Sequence, residues 1–403
     1  MNTVEIIERE NAHTSGVYPK RQLAIVRGKG AHLWDADGRE YIDCVGGQGA
    51  ANLGHAHPAV VAAIQAQAET LISCPEIFYN DKRADLLTKL TSLAPAGLDR
   101  AFLCNSGAEA IEAALKFARL ATKRIEVVAT MRGFHGRTMG ALSATWEKTY
   151  REPFNPLIPG FSHVPYNDLA AADAAITDKT AAFLVEVVQG EGGVRPGTAE
   201  YLQGVQAICR ARGAMFIVDE VQTGYGRTGK LFASEHYGLE PDLMPTAKSL
   251  AGGLPFGACL IGPRVGALDP STHGTTFGGN PMGCAAALAA LDALVNDGLI
   301  ERSATLGSWL LEKLRETLPT THVREVRGLG LMIGIELRSK VAPILRALQE
   351  RGVLALPAGA TVLRLLPPLV IEKADLERVV DAIQAVLAAQ PELSERSTAK
   401  ETA

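Results

Sequence analysis

Three apolar runs rich in β-branched residues alternate with helical segments in the middle of the chain, and this alternation constrains the fold most. The runs are "IEVVAT" (125–130), "AAFLVEVV" (181–188) and "AMFIVDEV" (214–221). Segments with a helical spacing of apolar residues, such as "AEYLQGVQAICRARG" (199–213), separate them. Strands that are buried on both faces have such continuous apolar runs. The pattern therefore predicts an α/β fold, a mostly parallel sheet with helices on both faces.

The two ends of the chain predict a smaller α/β unit. Near the N-terminus, "LAIVRG" and "AHLWDADGREYIDCVGG" alternate apolar and polar residues, and DADG indicates a hairpin turn. After residue 300, strand-like "LGLMIGIEL" and "TVLRLLPPLVI" alternate with helical segments. We therefore divide the chain into an N-terminal part of the small domain (1–60), a large domain (61–300), the C-terminal small domain (301–390) and a tail (391–403) that we expect to be disordered.

Composition excludes several classes of function. A net charge of -4 argues against general nucleic-acid binding, which needs a basic excess. The six cysteines form no CxxC pair, so they predict neither a zinc site nor a disulfide framework, and they fit a reducing cytosol. No apolar signal-peptide core starts the chain, and the apolar runs are too short to span a bilayer. We expect a cytoplasmic protein that binds no metal, membrane or nucleic acid.

Asp219 and Lys248 each end an apolar segment, in "FIVDEV" and "DLMPTAK". Taken singly, Asp219 fits a solvated loop start and Lys248 a surface cation. Together they suggest more, because small residues follow Lys248 and leave space for a flat ligand near the backbone. Pyridoxal phosphate bonds to a lysine, and an acidic residue pairs with its ring nitrogen. The pair therefore indicates a pyridoxal-phosphate site.

Further motifs fit a phosphate, a ring and a carboxylate. Ser106, Gly107 and Ala108 stand where a strand becomes a helix, which suits a phosphate; Ser106 also fits an ordinary N-cap in a capping box completed by Glu109.

The run "MRGFHGRTMGALSAT" contains Phe134, which could stack on a ring, and His135 beside it. Arg137 in the same run could bind a carboxylate bidentately. The hydroxyls of Thr275 and Thr276 suit a phosphate. Each of these motifs also has a plain structural interpretation, as a core phenylalanine, a solvated arginine and a turn.

Taken together, the motifs resemble one family. The matching runs are "NSGAEAIEAALKFAR", "GFHGRTMGALSAT", "VEVVQGEGGVRP", "IVDEVQTGYGRTGKLFASEHYGLEPDLMPTAK" and "HGTTFGGNPMGCAAALAAL". They resemble the class III (ornithine-type) pyridoxal-phosphate aminotransferases from about Gly16 to Leu387. The resemblance implies fold-type I, with a mostly parallel seven-stranded sheet, pyridoxal 5′-phosphate as cofactor, and a homodimer with shared active sites.

The resemblance also implies residue roles at the cofactor. Lys248 would be the Schiff-base lysine and proton shuttle, and Asp219 the partner of the ring nitrogen. Gln222 would lie near the phenolic oxygen, and Thr276 would reach the phosphate of the other subunit. The other cofactor positions that it implies are Ser106, Gly107, Ala108, Phe134, His135 and Glu186.

For the substrates, the resemblance to the acetylornithine branch implies two arginines and a gate. Arg137 would bind the donor's carboxylate and Arg364 that of 2-oxoglutarate. Glu191 would pair with Arg364 when an ω-amino donor binds and would release it for the second substrate. As a plain alternative, Arg364 is a structural cation on a strand. Thr275 and Tyr18 complete the candidate substrate contacts.

Several segments, among them "TWEKTYREPFNPL" and "LRLLPPLVIEKADLERVV", resemble the aminotransferase of lysine biosynthesis through 2-aminoadipate. That resemblance implies a donor attached to a small acidic amino-group carrier protein, or acetylornithine. Lys20 and Arg21 would then face the carrier, although a solvated pair fits equally. Val187 stands where the family usually has proline, and Ser249 where it has glycine, so the wall of the pocket differs.

Other functions stay open. The leading hypothesis is an ω-aminotransferase in lysine or arginine biosynthesis that moves the terminal amine of an N-blocked diamino acid to 2-oxoglutarate. The alternatives are a glutamate-1-semialdehyde-type aminomutase, an aminotransferase for ornithine or 4-aminobutyrate, and a non-enzymatic cofactor-binding protein. The presence of both Arg364 and Glu191 argues against the aminomutase, and intact Lys248, Asp219 and Arg137 argue against the non-enzymatic protein.

Overall fold

The first part of the chain builds a small sheet in the computed structural model, which describes residues 1–390. Strands β1–β2–β3 are antiparallel. The Asp35 carboxylate accepts hydrogen bonds from the N–H groups of Asp37 (3.0 Å) and Arg39 (2.9 Å), which confirms the DADG hairpin turn. The elements are α1 (Thr3–Asn11), β1 (Ile25–Lys29), β2 (His32–Asp35), β3 (Glu40–Asp43), the short turn α2 (Gly46–Gly49) and α3 (Pro58–Thr70).

The middle of the chain forms a seven-stranded sheet. Its strand order is β4-β12-β11-β10-β7-β5-β6, and β12 runs antiparallel to both of its neighbours. The other pairings are parallel, which confirms the prediction of a mostly parallel sheet. The elements are α4 (Asp81–Leu93), β4 (Arg100–Cys104), α5 (Gly107–Thr122), β5 (Glu126–Thr130), α6 (Met139–Ala144), α7 (Lys148–Arg151), β6 (Phe161–Val164), α8 (Leu169–Ala175), β7 (Thr180–Glu186), β8 (Val188–Gln189), β9 (Arg195–Pro196), α9 (Ala199–Arg212), β10 (Met215–Asp219), β11 (Leu243–Thr246), β12 (Gly257–Ile261) and α10 (Pro281–Asn296).

Both faces of this sheet are covered by helices. Along β7, Phe183 and Val185 share a buried cluster with residues of α9, whereas Ala182 and Leu184 share one with residues of α5. Successive side chains of a strand point to opposite faces, so every residue of β7 is buried. Burial on both faces explains why this strand is a continuous apolar run in the sequence.

The last part of the chain adds strands to the N-terminal sheet and forms a second sheet. β15 pairs parallel with β3, and β13–β14–β17–β16 form an antiparallel sheet. The predicted strand "LGLMIGIEL" is confirmed from Met332 onward as β14, whereas its first residues belong to a hairpin that we did not predict, because Gly330 (φ 53°) turns the chain between β13 and β14. The elements are α11 (Leu299–Thr317), β13 (Val323–Leu329), β14 (Met332–Leu337), α12 (Val341–Glu350), β15 (Val353–Leu354), β16 (Leu356–Ala358), β17 (Val362–Leu365) and α13 (Lys373–Ala388).

The division into domains stays a prediction, and the tail 391–403 lies outside the described residues. No single helix within residues 1–390 has the length and apolar composition needed to cross a membrane. Helices α10 and α11 meet that criterion only as a pair, and the pair is bent by 59°.

A buried carboxylate organises the long loop after β10. Glu220 accepts hydrogen bonds from the N–H groups of Ala233 (3.1 Å) and Ser234 (2.7 Å) and from the hydroxyl of Thr223. Burial raises the pKa of Glu220 to about 7, although these donors act in the opposite direction. The folded chain therefore holds a proton on Glu220 in a pH range where the unfolded chain has lost it.

This raised pKa predicts a pH-dependent stability. Between pH 5 and pH 8, Glu220 should lower the free energy of unfolding as the pH rises, because the folded state binds more protons than the unfolded state. Urea titrations at pH 5 and pH 8 measure this fall in the free energy of unfolding. It should be larger for the unmodified chain than for Glu220→Gln by on the order of 2 kcal/mol. The exposed Glu312 supplies the control, since Glu312→Gln should keep the original slope. Equal slopes for all three proteins would contradict the assignment.

Candidate active site

Polar side chains meet at one edge of the large sheet because several strands end there. Glu186 ends β7, Asp219 ends β10, and Lys248 follows β11. The carboxyl ends of parallel strands share an edge, where open α/β sheets bind ligands. There, a cavity of about 180 Å³ is lined by Gly107, Ala108, Phe134, His135, Gly136, Glu186, Glu191, Asp219, Val221, Gln222, Thr223 and Lys248.

Lys248 is partly buried at the start of a 3₁₀ turn (Lys248–Ala251), with an unusual positive φ of 49°. Burial lowers its pKa, although the carboxylates of Glu191 and Asp219 act in the opposite direction. A lowered pKa favours the neutral amine, which is the nucleophilic form. The next residue, Ser249, donates a hydrogen bond to the carbonyl of Gly49 (2.9 Å), so the serine that replaces the usual glycine ties this turn to the N-terminal part of the chain.

Asp219 is held in one orientation by two neighbours. One of its carboxylate oxygens lies 2.7 Å from Nδ1 of His135, and the other accepts a hydrogen bond from the N–H of Val221 (2.9 Å). The Nε2 atom of His135 is buried and has no hydrogen-bond partner in the described chain. Asp219 therefore presents a fixed, buried negative charge on the wall of the cavity.

Glu186 joins two loops that border the cavity. Its carboxylate accepts hydrogen bonds from the N–H of Phe134 (2.9 Å) and from the N–H of Gly190 (3.0 Å). Burial raises the pKa of Glu186 to about 7, and the charge of Asp219 acts in the same direction. The side chain thus fixes the turn that carries Phe134 relative to the loop that carries Glu191.

Arg364, on β17, contacts two side chains that line this cavity. Its Nη2 atom lies 2.7 Å from a carboxylate oxygen of Glu191, and its Nη1 donates to Oε1 of Gln222 (3.3 Å). The Arg364 side chain is 2% exposed, whereas that of Glu191 is 34% exposed. Within this pair, Glu191 is the side chain with room to move.

The start of α5 offers a cradle for an anion. Gly107 and Ala108 belong to its first turn, where N–H groups have no acceptor within the helix. A Cβ at Gly107 would lie 2.7 Å from Cγ1 of Val221, so a side chain would not fit. Ser106 is the N-cap and accepts from the N–H of Glu109 (3.2 Å).

The capping box predicted at this helix is wrong in one contact. The Glu109 carboxylate accepts from the N–H of Asn105 (2.5 Å) rather than from that of Ser106. The glutamate therefore reaches one residue farther back, and the side chain of Asn105 also donates to it (3.0 Å).

Four other predicted site residues lie off the wall of this cavity. The Arg137 guanidinium carbon is 3.4 Å from the centre of the Tyr150 ring, so this arginine stacks on a tyrosine beside the site. The hydroxyl of Thr275 accepts a hydrogen bond from Asn105 (3.0 Å), and Tyr18 and Thr276 are exposed. The roles of these four residues stay predictions.

The sequence interpretation missed Arg327, which holds the loop next to Glu191. Its guanidinium donates to the carbonyls of Gly193 (2.7 Å) and Val194 (3.1 Å) and pairs with Glu336 (2.6 Å). The sequence carries no signal for these contacts, because backbone carbonyls accept most of them.

Comparisons with known proteins agree with this geometry. The family model described as aminotransferase class-III matches residues 15–387. A LysW-aminoadipate semialdehyde transaminase of Deinococcus radiodurans is 50% identical over 96% of this chain and 91% of its own length. An acetylornithine aminotransferase of Methanothermobacter thermautotrophicus is 46% identical over 96% of this chain and 99% of its own length.

Among solved structures, an ornithine aminotransferase of Toxoplasma gondii, described with partial occupancy of pyridoxal phosphate at its active site, superposes with a TM-score of 0.92. It is 34% identical, over 96% of this chain and 94% of that one. The chain belongs to the class III aminotransferases. It is therefore a pyridoxal-phosphate-dependent aminotransferase of fold-type I.

The residues of the cavity fit this cofactor. Lys248 supplies an amine on the cavity wall, Asp219 a buried carboxylate, and the first turn of α5 supplies N–H groups for the phosphate. When bound, pyridoxal phosphate supplies an aldehyde that bonds to an amine and a ring that withdraws electrons from the adjacent carbon. Asp219, oriented by His135, fits the position that faces a ring nitrogen.

Replacing Lys248 tests whether this residue holds the cofactor. Lys248→Ala should abolish the visible absorption of covalently held cofactor and lower turnover roughly 10³-fold or more, because in the predicted role the amine would act both as nucleophile and as proton carrier. Absorption spectra before and after dialysis, together with turnover, provide the measurement. Lys313→Ala, at an exposed position of α11, is the control and should retain both properties. Retained turnover in Lys248→Ala would refute the assignment.

Proposed function

We propose that the protein is an ω-aminotransferase that moves the terminal amine of an N-blocked diamino acid to 2-oxoglutarate. The donor is N-acetylornithine or a lysine linked to a carrier protein, and the products are the semialdehyde and glutamate. The reaction belongs to lysine or arginine biosynthesis in the cytoplasm. The observation that carries the proposal is the ion pair between Arg364 and Glu191 at the cavity of Lys248.

The ion pair neutralises the buried charge of Arg364 while the donor is bound. The donor brings a terminal amine to Lys248 with no carboxylate nearby, so an unpaired Arg364 would be a buried and uncompensated charge. Glutamate and 2-oxoglutarate have a second carboxylate, which would replace that of Glu191 on the guanidinium. Because Arg364 is buried and Glu191 is partly exposed, the glutamate is the partner that swings away.

The named relatives support the choice of donor. One is named for a LysW-linked aminoadipate semialdehyde and another for acetylornithine, and both match nearly the whole chain. The likeness to an ornithine aminotransferase keeps ornithine as a second candidate donor. A glutamate-1-semialdehyde-type aminomutase and a 4-aminobutyrate aminotransferase are less well supported, because neither is named among these relatives.

Replacing Arg364 separates the two half-reactions. In stopped-flow experiments, Arg364→Ala should slow the reaction with 2-oxoglutarate roughly 100-fold, the effect of losing a hydrogen-bonded carboxylate contact of about 3 kcal/mol. The reaction with N-acetylornithine should fall much less. Glu191→Gln is the companion variant and should keep 2-oxoglutarate reactivity, since it leaves the arginine in place. Equal losses in both half-reactions of Arg364→Ala would count against the exchange of carboxylates.

We also infer a homodimer with shared active sites. Three consecutive apolar side chains between α3 and α4 are exposed: Ile77 (81%), Phe78 (60%) and Tyr79 (105%). Phe277, next to Thr276, is also exposed (61%). Apolar side chains exposed together commonly mark an interaction surface. A second subunit on this surface would bring Thr276 to its partner's phosphate.

A charge on this surface should separate the subunits. In sedimentation experiments, Phe78→Glu should shift the protein from dimer toward monomer and weaken retention of the cofactor, because a buried unpaired carboxylate is costly. Ile125→Glu is the control, because it introduces the same charge at an exposed isoleucine (66%) just before β5. This variant should leave the sedimenting mass of the protein unchanged. A Phe78→Glu protein that stays dimeric and retains its cofactor would contradict this interface.

A further inference from the structure

A second cavity adjoins that of Lys248 and has no assigned role. Its volume is about 340 Å³, and we call it the outer cavity. Phe134 and Glu191 line both cavities, so the two are contiguous. Tyr150, Arg195 and a segment of the C-terminal part (358–362) complete much of its wall. A donor whose terminal amine lies at Lys248 would extend past Glu191 into the outer cavity.

Arg132 on this wall has an unfavourable backbone conformation. Its φ is 66°, in the left-handed region where glycine and asparagine are preferred and where an arginine is strained. Strain of this kind, of order 1 kcal/mol, tends to occur at functional sites. The side chain is exposed and forms no ion pair within residues 1–390. The guanidinium of Arg132 is therefore free to bind a ligand in the outer cavity.

Arg132 lies directly against the loop of Glu191. A Cβ at Gly192 would be 2.6 Å from the carbonyl oxygen of Arg132 and 2.9 Å from its Cβ, so this contact requires glycine. The close approach places the turn of Arg132 next to the boundary between the two cavities. A ligand that passes Glu191 meets Arg132 next.

The other charges on this wall already have partners. Glu147 accepts hydrogen bonds from the N–H and hydroxyl of Thr149 (3.1 Å each), and Glu191 pairs with Arg364. Arg195 contacts Glu336 at 3.2 Å. Arg132 is thus the cation of the wall with no carboxylate of its own in the described chain.

We propose that the outer cavity binds the acyl group that blocks the donor's α-amine, and that Arg132 selects an acyl group carrying a carboxylate over an uncharged one such as acetyl. The proposal rests on the proposed function, because the donor must place its ω-amine at Lys248. It specifies the chemical class of the blocking group, namely an acyl group with a free carboxylate. An exposed guanidinium is free to bind a carboxylate bidentately, and an acetyl group offers it no charge.

Two probes that differ by this carboxylate test the proposal. The kcat/KM values for Nα-succinyl-L-ornithine and Nα-acetyl-L-ornithine are compared in the holoenzyme and in Arg132→Asn. Asparagine tolerates positive φ, so the substitution removes the charge without adding strain. The preference for the succinyl compound should fall about tenfold, as expected for the loss of one charge-assisted hydrogen bond. Lys123→Asn is the matched control, since Lys123 is also an exposed cation with positive φ (57°), at the far end of α5; it should keep the preference.

Binding provides a readout that does not depend on turnover. Titration calorimetry with Nα-succinyl-L-norvaline and Nα-acetyl-L-norvaline, which lack the terminal amine, should show the same loss of preference in Arg132→Asn. An unchanged ratio in both measurements, or an unmodified enzyme that prefers the acetyl compounds, would overturn the proposal. If neither ornithine derivative is a substrate, N-acetylornithine is excluded as the donor and the carrier-linked lysine remains, and the norvaline titrations still decide whether Arg132 recognises the carboxylate.

Discussion

One buried guanidinium connects the parts of the chain that form the active site. Arg227 donates to the side-chain oxygen of Asn52 (2.6 Å) and to the carbonyls of Leu331 (2.9 Å) and Pro367 (2.6 Å). These acceptors come from the N-terminal part, the β13–β14 turn and the segment after β17. Burial lowers the pKa of Arg227 to about 9, because a charged guanidinium is less stable away from water. The hydrogen bonds of Arg227 fix the loop after Asp219 relative to the segment that follows the strand of Arg364.

That connection brings charged side chains of both signs to one cavity. Lys248 and Arg364 face the carboxylates of Asp219, Glu186 and Glu191, and each charge has a neighbour of opposite sign. The balance is uneven, however. Burial holds the amine of Lys248 toward its neutral form, whereas Asp219 is tied to His135 and to a backbone N–H. The cavity thus favours the neutral form of its nucleophile beside a buried carboxylate, the combination that suits an electron-withdrawing cofactor.

Local sequence patterns predicted the residues at the strand ends. The apolar runs of β7 and β10 stop at Glu186 and Asp219, and a mostly parallel sheet brings such ends together. The same reasoning missed Arg327, the stacking of Arg137 on Tyr150 and the positive φ of Arg132. Those features depend on contacts between residues distant in sequence, or on backbone torsions that an arginine gives no reason to expect. The β13–β14 hairpin was missed for a similar reason, because "LGLMIGIEL" is apolar on both sides of its turn.

Arg327 limits how the loop of Glu191 can respond to a substrate. By binding the carbonyls of Gly193 and Val194, it fixes the backbone just after the glutamate, and Gly192 is held against Arg132. The proposed exchange of carboxylates on Arg364 would then require rotation of the Glu191 side chain and no displacement of the loop. A rigid loop also keeps Arg132 at the same place in both half-reactions. In this proposal, recognition of the donor's blocking group would be independent of whether Glu191 is paired, so one loop could contact both substrates without a change of its backbone.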